Sequence, residues 1–285
     1  MIECGLATDK ESSNMRASEL IRASVNRARE ALKKYEGENG GINQKRLIAG
    51  CVPPLTECYF AAKVPSSLND LIPEYTVILS TLLDCNVDVL LAETLSSTRE
   101  ALAILRSLSG MQKTGGYPVI PPVWISFTIR DDRPDKLRSD ESLEEACQTV
   151  IQEATSLDHP LRLEAIGVNC STPTAISDAI PILAKTVEGT NIKVSAYGNC
   201  FRTTTSEWMS SLDNDNEGND GSTTGAAKQQ TTCAEEYDEE GYLLPDAYAN
   251  YALEWTKAGA RIVGGCCGSR PKHMQKVADI LKNRE

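Results

Sequence analysis

Apolar residues along this chain switch repeatedly between two arrangements, a stripe with helical spacing and a short continuous run. The first stripe covers residues 15–32, where Leu20, Ile21, Ser24, Val25, Ala28 and Leu32 share one face and Arg22, Arg29 and Glu30 lie off it. It predicts an amphipathic helix. A polar, Gly-rich stretch over 37–43 breaks the stripe, and the run Arg46 to Val52, closed by Pro53 and Pro54, reads as a buried strand. The pattern then repeats. Helical stripes over 72–86, 99–108, 143–156, 174–187 and 248–258 precede apolar runs over 87–92, 123–129, 163–170, 192–197 and 260–265, and a last helix covers 271–282. Six strands alternating with helices at about 30-residue spacing mean right-handed crossovers and a parallel sheet. The class is α/β, as an open doubly wound sheet or a (β/α)8 barrel.

One segment stands outside the alternation. Residues 210–240 are rich in Asp, Glu, Asn, Gly, Ser and Thr with almost no large apolar side chain, so they read as an acidic, flexible loop inserted in a single domain spanning 1–285. The whole chain is acidic too. Its 29 Lys and Arg against 40 Asp and Glu leave a net charge of -11, which repels a phosphate backbone and an anionic membrane surface. Nucleic acid and membranes are therefore not expected partners. No stretch approaches the ~20 apolar residues of a membrane span, and residues 1–10 show no secretory pattern; a soluble, cytoplasmic protein is expected. Ten cysteines then stay reduced, which turns attention to thiol chemistry or metal binding.

Three of them stand at the C-terminal ends of predicted strands, where α/β proteins place their sites: Cys170 closes the fourth, and Cys266 and Cys267 follow the sixth. Neighbouring strand residues point to opposite faces, so Cys266 and Cys267 meet one ion only if the backbone leaves strand geometry, a freedom that Gly264, Gly265 and Gly268 supply. Three thiolates suit Zn2+ and leave an open coordination position, the mark of a catalytic site. Two other readings fit the same residues: a vicinal disulfide between Cys266 and Cys267, or a Gly-rich turn that cradles an anion, as in a phosphate-binding barrel enzyme with incidental cysteines. Cys4, Cys51, Cys58, Cys85, Cys147, Cys200 and Cys233 read as small buried hydrophobes. His159 and His273 read as solvated.

Together, the segments Gly167-Val-Asn-Cys170 and Gly264-Gly-Cys-Cys-Gly268 resemble the paired signature of the homocysteine S-methyltransferases. The likeness runs from about Arg16 to the C-terminus and includes Gly50-Cys-Val-Pro-Pro54 and Leu91-Ala-Glu-Thr94; where the family commonly reads Tyr-Pro-Asn, this chain has Tyr197-Gly-Asn199. The resemblance implies a TIM-type (β/α)8 barrel with zinc on Cys170, Cys266 and Cys267, and Glu93 receiving the substrate's amino group. It implies transfer of a methyl group from a small sulfonium donor, S-methylmethionine or S-adenosylmethionine, to the thiol of homocysteine, forming methionine. Betaine is a further donor the family allows.

The family's opening glycine-rich strand and its second strand have no counterpart in the first 14 residues. The expectation is an incomplete barrel, an arc of six parallel strands whose open edges invite self-association. On that ground a non-catalytic remnant of such an enzyme is the alternative to an active methyltransferase.

Overall fold

Register partners Val52, Ala92, Ile125, Ile166, Val194 and Ala260 form one unbroken row across six parallel strands, and none is more than 2% exposed. The strands are β1 (Ala49–Val52), β2 (Val89–Leu95), β3 (Val123–Phe127), β4 (Leu163–Asn169), β5 (Lys193–Tyr197) and β6 (Ala260–Val263). They lie in sequence order, β1-β2-β3-β4-β5-β6. Right-handed crossovers between strands in that order put every helix on one face, the winding of a barrel rather than of a doubly wound sheet. The buried row is the face the helices cover. On the other face Cys51 is exposed and Leu91, Glu93, Trp124 and Tyr197 are only partly buried, and this is the inside of the arc. The computed structural model describes residues 10–38, 45–202 and 236–282.

Seven helices are present among these residues: α1 (Lys10–Glu38), α2 (Leu68–Asp84), α3 (Thr98–Lys113), α4 (Leu143–Ser156), α5 (Pro173–Thr186), α6 (Pro245–Ala258) and α7 (Pro271–Lys282). Short side chains start several of them. Ser142 accepts the Glu145 N–H at 3.4 Å and Thr172 accepts the Ala175 N–H at 3.3 Å, each satisfying an N-terminal donor that the helix cannot. α1 lies along α2, with Ser18 bonded to Thr81 at 3.0 Å and Arg22 paired with Asp84 at 2.8 Å. Among the described residues β1 pairs only with β2 and β6 only with β5. The described residues form a TIM-barrel-type fold of six strands, an arc with two edges.

Several boundaries differ from the sequence reading. α1 extends beyond 15–32 at both ends because charged and small helix formers, tied by pairs such as Lys10–Glu74 at 2.6 Å, carry it past its apolar stripe. β1 begins at Ala49 rather than Arg46, and β3 ends at Phe127. Most of the acidic loop, residues 210–235, lies outside the described residues. Its last part, 236–240, is folded: Tyr237 bridges Leu243, and Asp238 donates to the Tyr242 carbonyl at 2.8 Å. Apolar anchors explain the difference, since Leu243 is fully buried just beyond the acidic run. No helix among the described residues is long and apolar enough to cross a membrane.

Candidate functional site

The sulfur atoms of Cys170, Cys266 and Cys267 converge at the C-terminal end of the sheet, all within 4.8 Å of one another. Cys170 Sγ lies 2.7 Å from that of Cys266 and 3.5 Å from that of Cys267. Cys170 follows β4 directly and takes a left-handed conformation, φ 54°, which turns its side chain out of the strand's alternation. A Cβ at Gly167 would strike the Ser195 carbonyl oxygen at 2.0 Å, so only glycine lets β4 and β5 approach this closely. After β6 the chain leaves strand geometry at Gly264 and Gly265, as both cysteines require. The Tyr248 hydroxyl fixes that turn: it accepts the Gly198 N–H at 2.9 Å and lies 2.7 Å from the Gly264 carbonyl. One phenol thus ties the loop after β5 to the loop after β6.

Crowding separates the three thiols in acidity. Hydrogen bonds from Cys170 and Cys266 hold the Cys267 thiol well below the ordinary range. Cys266 is pushed far up by its bonds to Cys170 and Cys267 and by burial. The donor set is soft, with three sulfurs and, among the described residues, no fourth member. It fits a soft ion with one open position.

One competing reading of this turn is removed. Cys266 and Cys267 are free thiols, so no vicinal disulfide joins them. Two of the turn's backbone N–H groups are used within the chain: Gly264 donates to Ala196 at 3.2 Å and Cys266 to Gly198 at 3.1 Å.

Glu93 lies near the end of β2, beside the Cys51 thiol on β1 and the Tyr197 hydroxyl on β5. Burial, and then the Glu93 charge, push both of those groups well above their ordinary ranges. Tyr197 also neighbours Cys266, so it stands between the carboxylate and the sulfurs. Asn169, the third residue of the first signature, is fully buried and bonds to Thr94, to Ser126 at 2.7 Å and, at 3.9 Å, to the Cys266 sulfur. The structure therefore brings all four residues singled out from the sequence to one end of the arc.

Other expectations need correction. His273 is 3% exposed, not solvated: its Nδ1 accepts the Arg270 N–H at 3.0 Å, which leaves Nε2 to donate to the Leu243 carbonyl at 2.8 Å. A histidine three residues into a helix that caps its own N-terminus was a signal available in the sequence. Cys85, Cys147 and Cys200 are buried as expected, but Cys51 is exposed and Cys58 half-buried; Cys4 and Cys233 lie outside the described residues. Tyr59 and Tyr248 carried no sequence signal, because each acts on residues far away in the chain. Tyr59, in the loop after β1, lies under the Arg138 guanidinium, which is 5.4 Å from the ring centre.

A sequence profile described as homocysteine S-methyltransferase matches residues 5–281. The chain is 27% identical over 274 residues to the homocysteine S-methyltransferase YbgG of Bacillus subtilis (strain 168), covering 93% of this chain and 72% of that protein. It is 26% identical to a selenocysteine methyltransferase of Astragalus bisulcatus, over 96% of this chain and 74% of the other. The apo crystal structure of the homocysteine methyltransferase MmuM from Escherichia coli superposes with a TM-score of 0.62 at 23% identity, covering 96% of this chain and 76% of that one.

Proposed function

Because the chain belongs to the homocysteine S-methyltransferase family, we propose that it methylates the thiol of homocysteine from a sulfonium donor, S-methylmethionine or S-adenosylmethionine, on zinc held by Cys170, Cys266 and Cys267. The convergence of three thiols from two strand ends, 96 residues apart in sequence, carries this reading. When bound, zinc supplies the Lewis acidity that keeps a substrate thiol deprotonated near neutral pH.

The chain's own residues do the rest. Glu93 receives the ammonium group of homocysteine by a charge-assisted hydrogen bond and so fixes the direction of its sulfur. Asn169 locks the turn that follows Glu93, which keeps the carboxylate at a constant distance from the cysteines. Holding nucleophile and methyl carbon in line removes most of the entropic cost of their meeting. In the transfer a sulfur lone pair forms the new C–S bond, the donor's C–S bond breaks, and its electron pair stays on the departing neutral thioether. No base on the chain is required, and His273, spent on the Leu243 carbonyl, is not one.

The test is methionine formation from homocysteine by the purified, zinc-loaded chain, assayed with each donor separately. Turnover with one sulfonium donor supports the reading. A chain that holds one equivalent of zinc and forms no methionine with either donor overturns it in favour of a non-catalytic remnant.

A further inference from the structure

The turn that carries Cys170 is gripped by the loop after β3. Ile129 donates its N–H to Ser171 Oγ at 3.1 Å, and the Thr172 N–H donates to Asp131 Oδ1 at 2.9 Å. Thr172 is the N-terminal cap of α5. In a capping box the residue three places further on reaches back to the cap's own N–H, but here that place is held by Ala175, whose side chain accepts nothing. Asp131, 41 residues away, supplies the acceptor instead.

Asp131 is itself fixed. Its Oδ2 pairs with Arg138 Nη2 at 3.3 Å, the two side chains are 3% and 5% exposed, and the Arg138 Nε is buried without a partner. A buried ion pair of this kind returns little net stability, because desolvation offsets the attraction. What it does secure is the place of the carboxylate. The turn beyond needs securing: Cys170 sits at φ 54°, which residues with a side chain rarely adopt, and there its sulfur lies 2.7 Å from that of Cys266. The Cys170 N–H, bonded to the Tyr197 carbonyl at 3.2 Å, fixes the entry to the turn, and the Thr172 N–H, bonded to Asp131, fixes its exit.

We infer that Asp131, oriented by Arg138, is a positioning residue for the metal site: it holds the Cys170 turn in its left-handed form, so that the three sulfurs are assembled before an ion arrives. The inference deepens the proposed zinc site and rests on it. A turn ordered beforehand spares metal binding the cost of ordering it. Asp131 thus acts on the ion through the backbone and touches neither it nor the substrate.

The test removes both charges together, which avoids stranding one of them. The parent chain, Asp131→Leu with Arg138→Met, and Asp131→Asn with Arg138→Met are each titrated with cobalt(II) against a chelator. Visible ligand-field bands report the geometry of the site, and urea titration of the metal-free chains reports the fold. Leucine leaves the Thr172 N–H without its acceptor, so cobalt affinity falls about tenfold or more. Asparagine restores an oxygen acceptor, and most of the affinity returns. A merely structural pair gives both variants the same cobalt affinity, since both lose the same charges. Parental affinity in a folded leucine variant, or no recovery with asparagine, overturns the inference and leaves the metal site standing. Where leucine does not fold, Asp131→Ala with Arg138→Met is read in the same way. A parent chain that takes up no cobalt overturns the metal reading and this inference with it.

Discussion

Asn169 and Thr94 are joined by two hydrogen bonds of opposite sense. The Thr94 N–H donates to Asn169 Oδ1 at 2.9 Å, and Asn169 Nδ2 donates to Thr94 Oγ1 at 2.8 Å. Thr94 needs such a hold. It sits at φ 62°, a left-handed conformation that a β-branched residue rarely adopts, and the register between β2 and β3 shifts beside it. β4, which leads directly into Cys170, thereby sets the backbone next to Glu93.

Asn169→Ala removes the bonds to Thr94 and Ser126 and leaves buried donors unpaired. It should lower unfolding free energy by about 2–4 kcal/mol, measured by urea titration. Zinc content should persist while KM for homocysteine rises, because the metal ligands remain and the Glu93 turn relaxes.

Substituting Ala for Cys170, Cys266 or Cys267 should each drop bound zinc sharply, measured by atomic emission on the dialysed protein. Cys200→Ala should keep a full equivalent, since Cys200 is buried and stands outside the group of three. Full zinc retention in Cys266→Ala would remove that residue from the ligand set.

Glu93→Gln keeps the size of the side chain and removes its charge. Homocysteine should bind at least tenfold more weakly, at about 1.4 kcal/mol per factor of ten, with zinc content unchanged. An unaltered KM would dissociate Glu93 from the ammonium group.

Glu100 offers a test of pH dependence away from the sulfurs. It is fully buried at the start of α3, and burial raises its pKa although Ser96 and Ser97 donate to it. A carboxyl group raised in the folded state favours folding most when protonated in both states. Its contribution is complete below the ordinary carboxyl value and is lost as pH rises through the native one. Relative to Glu100→Gln, the parent chain should therefore gain stability as pH falls from neutral toward the ordinary carboxyl range, read by paired urea titrations. A difference that is constant with pH would contradict this.

Much of this architecture was legible in the residues. The stripe over 143–156 and the last helix over 271–282 carry clear start signals, Ser142 before one and Pro271 at the head of the other, and both were placed at their observed ends. The apolar stripe covers only the middle of α1 because its outer turns are held by polar helix formers and exposed ion pairs, which leave no apolar period to read. The clustering of Cys170, Cys266 and Cys267 is legible because strand ends mark all three, as they mark Glu93. Tyr59 and Tyr248 were not, since a phenol that reaches a loop 50 residues away, as Tyr248 does to Gly198, imposes no spacing on its neighbours.

The Tyr248 tie joins the two halves of the cysteine site. Cys170 stands at the end of β4, and Cys266 and Cys267 follow β6, whose turn the phenol holds at the Gly264 carbonyl. A chain without β6 would own one of the three sulfur donors. On the proposed zinc site, metal retention would therefore report that both strand ends are in place, and a bound ion would add its own hold to the seam between them.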